Sequence, residues 1–348
     1  MKIEREAFIG PLRLLRPALV DKSPVEGLNQ IWLSGDTATA FNDIIAIEVA
    51  LPMSVEGGVH GMTLLGMLEA STAKEIDIDK GNKDGDSLAL KSAGMKAELP
   101  LIPSDRAVFA FPETLPEGIV VDKALSAALK HVSLALSSGG DNMGVTFVAE
   151  GAQLAVYATD GMTVAWSRLK KPKGYTAKRV VLSPTFCDQL SVLNEGGMSL
   201  ALTDDAAVAV DNQSGSRLFG RLVEVAKELD FAGTIKGNVP TPASAVPLPE
   251  RLANALDRAE VLVNGVARKP LRITIKQNVL RLYLKTDMGE LSEALKIDGK
   301  HPDAEGLFNG AFIRRALGRC DRFVLSSECF AMLGEGDSGF LVAATDEG

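Results

Sequence analysis

The strongest constraint on this 348-residue chain is that one pattern is written three times. Helix, strands, helix and strands recur at intervals of roughly 120 residues, and self-similarity at a fixed period decides the architecture before any motif is read. In the first copy EAFIGPLRLLRPAL spaces its apolar residues helically, and Pro11 is tolerated if the helix starts near Ile9. IWLSGDTATAF and NDIIAIEVALP follow as a strand pair turning at Gly35-Asp36. GMTLLGMLEAS, Gly61 to Ser71, is the second helix, and EIDIDK, DSLALKS (joined by GNKDG) and AELPLIP close the copy.

The second copy runs DKALSAALKHVSLAL, then GVTFVAE, AQLAVYATD and MTVAWSRL. SPTFCDQLSVL comes next, with Ser183 as N-cap and Pro184 in the first helical position, and then SLALTDD, AAVAVDN and SRLFGRLVEV. The third runs LPERLANALDRAEVLV, LRITIKQ, VLRLYLKTD, GELSEALKI, NGAFIRRALGRC, RFVLSSE, CFAMLGE and GFLVAATD. Asn42-Asp43, Thr159-Asp160 and Thr286-Asp287 end equivalent strands. Asp160-Gly161, between two apolar runs, predicts a tight hairpin turn with both central residues at positive φ. Pro112, Pro116 and Gly118 mark one linker; Gly237, Pro240, Pro242 and Pro247 mark another. The expected domains are therefore 1–118, 119–240 and 241–348. Apolar and polar residues alternate in KEIDIDK and LRITIKQ, as in antiparallel strands with one wet face. The expected fold is α+β: three similar domains in tandem, sheet on one side and two helices on the other.

Composition narrows the function. The three cysteines, Cys187, Cys320 and Cys329, are too few and too scattered for a disulfide framework and fit a reducing compartment. Glu4, Arg5, Glu6, Arg13 and Arg16 interrupt any signal-like apolar stretch, and no uncharged run is long enough to span a membrane. A cytoplasmic protein with no membrane partner is expected. The net charge of −8 argues against a globally basic nucleic-acid binder, but the acidity sits mainly in residues 1–118, with 11 basic and 18 acidic side chains.

No catalytic constellation emerges. His60, His131 and His301 lie far apart, and no metal-ligand spacing occurs. Neither phosphate-binding glycine motif is present. Ser71 and Lys74 have S-x-x-K spacing without its companion motifs. DIDKGNKDGDS has Leu90 where a calcium loop counted from Asp79 needs Glu. Asn212-Gln-Ser214 is a sugar acceptor only in a secreted protein. The chain is expected to be no enzyme and to hold no cofactor or metal. Basic residues do recur along the helices: Arg5, Arg13 and Arg16, Lys123 and Lys130, Arg251 and Arg258, then Arg314, Arg315 and Arg319. Another cluster, RLKKPKGYTAKR, includes Arg168 and Arg179. A solvated outer face explains any one helix; recurrence in all three copies of an acidic chain suggests positive charge gathered on one side.

Threefold repetition without a catalytic centre resembles the bacterial-type DNA polymerase sliding clamp, the beta clamp. MKIEREAFIGPLRLLRPAL looks like that family's N-terminal strand and helix. ATDGMTVA, Ala158 to Ala165, resembles its A-T-D-G-H-R-L-A signature, and FNGAFIRRAL its F-N-x-x-Y-L-x-x-A-L pattern. GRLVEV and LDF fall where the family has G-R-L and F-P-D-Y. The resemblance implies a homodimeric ring of six domains, helices lining the hole, that encircles double-stranded DNA without sequence specificity. Such a ring acts as processivity factor for the replicative polymerase and takes peptides from polymerase and clamp loader; it does no chemistry itself.

It also implies sites. DNA contacts would come from Arg13, Lys22, Lys123, Lys130, Arg251 and Arg258. A partner-peptide pocket would comprise Thr159, Gly161, Met162, Thr163, Val164, Leu229, Leu341 and Ala343. Met162 and Thr163 replace the family's His and Arg, Leu229 stands where proline is usual, and FLVAATDEG lacks the M-P-M-R-L ending. The altered pocket suits a divergent clamp such as a bacteriophage's own. At the dimer interface Ala97 and Leu99 would meet Val261 and Leu262. The alternative is a structural or interaction protein of repeated α+β modules with no DNA role.

Overall fold

The computed structural model describes residues 1–25, 27–81, 86–136, 144–193, 197–224, 228–239, 244–263 and 269–345. The loop GNKDG and linker residues Pro240 and Pro242 lie wholly or largely outside them. The first copy is β1 (Lys2–Glu4), α1 (Arg5–Leu14), β2 (Gln30–Ser34), β3 (Thr37–Phe41), β4 (Ile45–Ala50), β5 (Gly57–His60), α2 (Gly61–Ala70), β6 (Glu75–Lys80), β7 (Ser87–Ser92) and β8 (Met95–Pro100). The second repeats that order with β9 (Ile119–Val121), α3 (Lys123–Val132), β10 (Val145–Glu150), β11 (Gln153–Thr159), β12 (Thr163–Lys170), β13 (Arg179–Leu182), α4 (Pro184–Leu193), β14 (Met198–Leu202), β15 (Ala206–Asp211) and β16 (Arg217–Arg221). After α5 (Phe231–Asn238) the third copy follows: β17 (Val246–Pro247), α6 (Leu252–Val263), β18 (Leu271–Lys276), β19 (Val279–Thr286), β20 (Gly289–Lys296), β21 (Ala304–Phe308), α7 (Gly310–Ala316), β22 (Arg322–Leu325), β23 (Cys329–Leu333) and β24 (Asp337–Ala343). All strand pairs are antiparallel, as the alternation requires.

The sheets bind the copies together. The two outer sheets have four strands each, β1-β6-β7-β8 and β20-β19-β18-β21. The other two have eight, because β4 of the first copy pairs with β16 of the second, and β12 of the second with β24 of the third. The chain consequently divides into two compact units that split the middle copy: one comprises residues 1–122, 172–176 and 185–222, the other 123–171, 177–184 and 223–348. In the first unit α1 and α2 pack together and bury Phe8, Ile9, Leu12, Leu64, Leu65 and Leu68. In the second, α3 packs on β11 and β12, and α6 packs on α7, β19 and β20.

Several helices differ from expectation. Pro11 lies inside α1, not in its first turn. Having no N–H, it leaves the carbonyl of exposed Ala7 without a helical partner, and α1 soon gives way to a single 3₁₀ turn at Arg16–Ala18. α6 starts at Leu252 instead of Leu248, and α7 stops at Ala316. The 184–193 helix agrees with its sequence pattern, and Asn309 caps α7 by accepting from the Ala311 N–H at 3.0 Å. α5 forms in a stretch whose composition marks a linker; Asp230 caps it through the Gly233 N–H at 2.8 Å.

The repeat aligns one residue away from its sequence reading in the middle copy. Asn42 Oδ1 accepts from the Ile44 and Ile45 N–H groups at 3.0 and 2.9 Å. Asp160 Oδ1 does the same for Met162 and Thr163, at 3.0 and 2.7 Å, and Thr286 Oγ1 accepts from Met288 N–H at 3.1 Å. Asn42, Asp160 and Thr286 are therefore equivalent, and Thr159 corresponds to Phe41 and Lys285. The central residues of the middle turn are Gly161 and Met162. Only Gly161 is left-handed, at φ 86°, matching Asp43 at φ 76°. The expected pair of positive φ values at Asp160-Gly161 is not found.

Candidate partner-binding and nucleic-acid surfaces

The Thr159–Val164 turn spends its polar groups on itself. Thr159 Oγ1 donates to Thr163 O at 2.6 Å and accepts from Gly161 N–H at 3.0 Å, while Thr163 Oγ1 donates to Asp160 Oδ1 at 2.8 Å. Thr163 is 0 % exposed, so its side chain acts as a strut within this turn. The Ala343 N–H donates to Met162 O at 2.9 Å, fastening β24 to the turn. Across the β12–β24 pair Val164 faces Leu341. Thus Thr159, Gly161, Met162, Thr163, Val164, Leu341 and Ala343 come together. Leu229 is 42 % exposed and lies two residues before Phe231; its carbonyl accepts from Arg179 Nη1 at 3.5 Å.

Beneath this turn lies an apolar cluster that includes Tyr157, Trp166, Leu341, Ala331 and Cys329, with half-buried Val164 and Val148 against it. α5 covers it with Phe231 and Ile235, as period-four apolar residues on a short helix allow. Tyr157 stacks on Phe231 with ring centroids 4.9 Å apart and planes 4° from parallel. The Tyr157 hydroxyl donates to Glu150 at 2.8 Å and accepts from Arg168 Nη2 at 3.1 Å. Burial, reinforced by the Glu150 carboxylate, pushes this phenol up to about 12. Arg168 also reaches Glu150 at 3.1 Å and Asp337 at 3.2 Å, spanning the junction. Trp166 requires Gly339 opposite: a Cβ there would lie 2.3 Å from the indole and 2.7 Å from Met332 O. On α3, buried His131 donates from Nε2 to Gly339 O at 2.9 Å, and burial lowers its pKa.

The cationic residues separate into two groups. Arg13 is held by Glu6 at 2.9 Å and by Glu69 at 3.7 Å, and Arg16 by Glu69 at 2.9 Å. Arg258 Nη2 bonds Glu293 at 2.7 Å, and Arg314 pairs with Asp257. Lys22, Lys123, Lys130 and Arg251 are exposed and have no carboxylate within 4 Å among the described residues. α2 and α4 carry no lysine or arginine. No cluster of three or more metal-ligating side chains occurs among the described residues, and no helix there is long and apolar enough to cross a membrane.

Ala97 and Leu99 lie on β8, the free edge of the first outer sheet. Val261 and Leu262 lie on α6, which packs along β20, the free edge of the other. Leu262 comes 3.5 Å from the Cβ position of Gly289 at the start of β20, and Val261 is 67 % exposed.

Eight strands and two helices per copy, three copies in tandem, and sheets shared between successive copies define a DNA-clamp fold. Solved structures share it along the whole chain. A putative DNA polymerase III beta subunit from Eubacterium rectale superposes with a TM-score of 0.83 at 15% identity, covering 99% of this chain and 98% of that one. The beta subunit of Streptococcus pyogenes DNA polymerase gives 0.83 at 17% identity, with 99% of both chains covered. A Pseudomonas aeruginosa sliding clamp, DNA polymerase III subunit beta, bound to griselimycin gives 0.82 at 19% identity and covers 99% of both. No protein-family model matches the sequence, and no curated protein matches it.

Proposed function

We propose that this chain is a DNA sliding clamp: two copies close head to tail around duplex DNA, hold it without reading its sequence and tether a replicative polymerase. The observation that carries the reading is the threefold-repeated fold, shared over 99% of the chain with structures of DNA polymerase III beta subunits. Topology supports closure. The fourth strand of each of the first two copies pairs with the eighth strand of the next copy; among the described residues this leaves the fourth strand of the third copy (β20) and the eighth strand of the first (β8) at sheet edges with no neighbour on that side. A second chain offers the missing partner to each, and a head-to-tail contact that closes makes a ring rather than a filament. The domain bounds 1–118, 119–240 and 241–348 belong to this reading and are supported by the order of elements.

Lys22, Lys123, Lys130 and Arg251 supply phosphate contacts, which position a protein without carrying sequence information. Arg13 and Arg258, engaged by carboxylates, contribute less. The turn at Thr159–Val164, with Leu229, Leu341 and Ala343, receives apolar side chains of polymerase and loader peptides. The clamp does no chemistry and works in the cytoplasm, beside the nucleoid or in a phage's host. Replacing Lys22, Lys123, Lys130 and Arg251 by alanine should weaken duplex binding and lower its salt slope by about 0.9 for each phosphate no longer neutralised. Replacing Arg13 and Arg258 should do so far less. An unchanged slope in the fourfold variant would remove these residues from the DNA face.

A further inference from the structure

The two internal junctions fix how a third must be built. In the first, one row across the outer face reads Val208, Phe219, Ala46, Phe41; in the second it reads Ala331, Leu341, Val164, Thr159. Both rows start one residue beyond the pair that closes the preceding hairpin, Leu202 with Ala207 and Leu325 with Phe330. In the first copy the corresponding closing pair is Lys80 with Leu88, so its row starts at Ala89 and continues to Glu98. In the third copy, equivalence of Thr286 with Asn42 and Asp160 places Glu290 and Lys285 in the same row.

Resting on the ring reading above, we propose that β8 of one chain and β20 of another pair in this register, with Glu98 opposite Glu290, and that this seam is the weakest junction of the ring. Ala97 then faces Leu291, and Leu99 faces Gly289, where the missing side chain makes room beside Leu262. Leu262 closes over this apolar line on the helix side, and exposed Met288 and Val261 lie next to it.

Three features of the internal junctions are missing from the seam. Each internal junction is apolar where the two copies face each other in the outer row, Phe219 with Ala46 and Leu341 with Val164, and is covered by the linker that joins the two copies; the seam has the ladder Lys285, Glu290, Glu98, with Lys96 at 3.8 Å from Glu98. Each internal junction has an arginine–carboxylate pair, Arg217–Glu48 at 2.6 Å or Arg168–Asp337 at 3.2 Å. The matching seam positions are Lys96 opposite Ser292 and Gly94 opposite Ala294. Each internal junction ends on an N–H bonded to the neighbouring turn, Arg221 to Ile44 O at 3.0 Å and Ala343 to Met162 O at 2.9 Å. The matching residue of β8 is Pro100, which has no N–H to give Met288 O. Lysine and proline on an exposed edge also discourage unregulated strand pairing.

The test is a charge-swap cycle on the full chain, read as the dimer dissociation constant in analytical ultracentrifugation. Directly opposed like charges destabilise a strand pair and opposite charges stabilise it. Glu98→Lys and Glu290→Lys should each tighten the dimer, by roughly threefold per seam and about tenfold for a ring with two seams, and the double variant should lose that gain. Lys96→Cys with Ser292→Cys should oxidise to a covalent dimer, whereas Lys96→Cys with Lys296→Cys, four residues farther along β20, should not. A dimer whose single variants do not tighten, or that cross-links at the second pair, overturns the register and leaves the ring reading standing. A chain that stays monomeric in every variant overturns both.

Discussion

The two internal junctions are the same construction finished differently. At the first, the linker lays Phe109 and Phe111 over the sheet: Phe109 stacks on Phe41 at 4.7 Å and tilts against Phe219 at 4.8 Å, and Arg217 sits 4.4 Å over the Phe111 ring. At the second, a capped helix, α5, presses Phe231 on Tyr157 while Trp166 fills the space left by Gly339. Where the first has bulky Phe41 and Phe219 under aromatic cover, the second has Thr159, whose hydroxyl is tied into its own turn, beside Val164 and Leu341. One junction is covered by an irregular segment carrying two aromatic rings; the other is covered by a capped helix carrying one. The function proposed above assigns the partner peptide to the second of these junctions.

The contrast has measurable consequences. The largest is expected where backbone as well as side chain resists: Gly339→Ala drives a Cβ into Trp166 and Met332 O and should cost about 3 kcal/mol in denaturant unfolding, the upper end for overpacking. Phe231→Ala should cost about 3 kcal/mol, as for buried aromatic truncation, and Phe109→Ala about half of that because Phe109 is only half-buried. Equal losses would erase the distinction between helical and irregular cover. Arg168→Ala should cost about 1–2 kcal/mol, since it strips hydrogen bonds from Glu150 and Tyr157 in a partly buried network. Arg221→Ala should cost less than about 0.5 kcal/mol, because Arg221 is 59 % exposed and its partner Asp43 is exposed too.

The smallest effect is one of pH. His131 donates as a neutral imidazole, and burial lowers its pKa below the usual 6.5. The unfolded chain then takes up the proton first, so the second junction's contribution is complete above about pH 6.5 and declines as pH falls through the lowered folded value. His131→Gln should keep most of the stability and flatten that decline, followed by thermal unfolding between pH 7 and 5.

Repetition, strand alternation and capping are legible in the sequence because they are local. The Ser183-Pro184 start can be read directly. The middle turn aligns one residue off because Thr159 looks like Asn42, a polar residue before an aspartate; only the side-chain bonds show that Asp160 does Asn42's work. α5 escapes because its surroundings are rich in glycine and proline, although Asp230 followed by Phe231 and Ile235 is a cap and an i,i+4 apolar pair. The charge pattern misleads for a nonlocal reason. Glu69 comes from another helix, 53 residues beyond Arg16, and Glu293 from a strand 35 residues beyond Arg258, so arginines that look free in the sequence are engaged in the fold.

The most direct measurement of the central claim is topological. Loaded onto nicked circular duplex, the protein should stay bound through a high-salt wash and be lost when a single cut linearises the circle, because a ring can leave only over an end. Equal retention on circle and line, or equal loss from both, would mean that the chain binds DNA from the side or not at all.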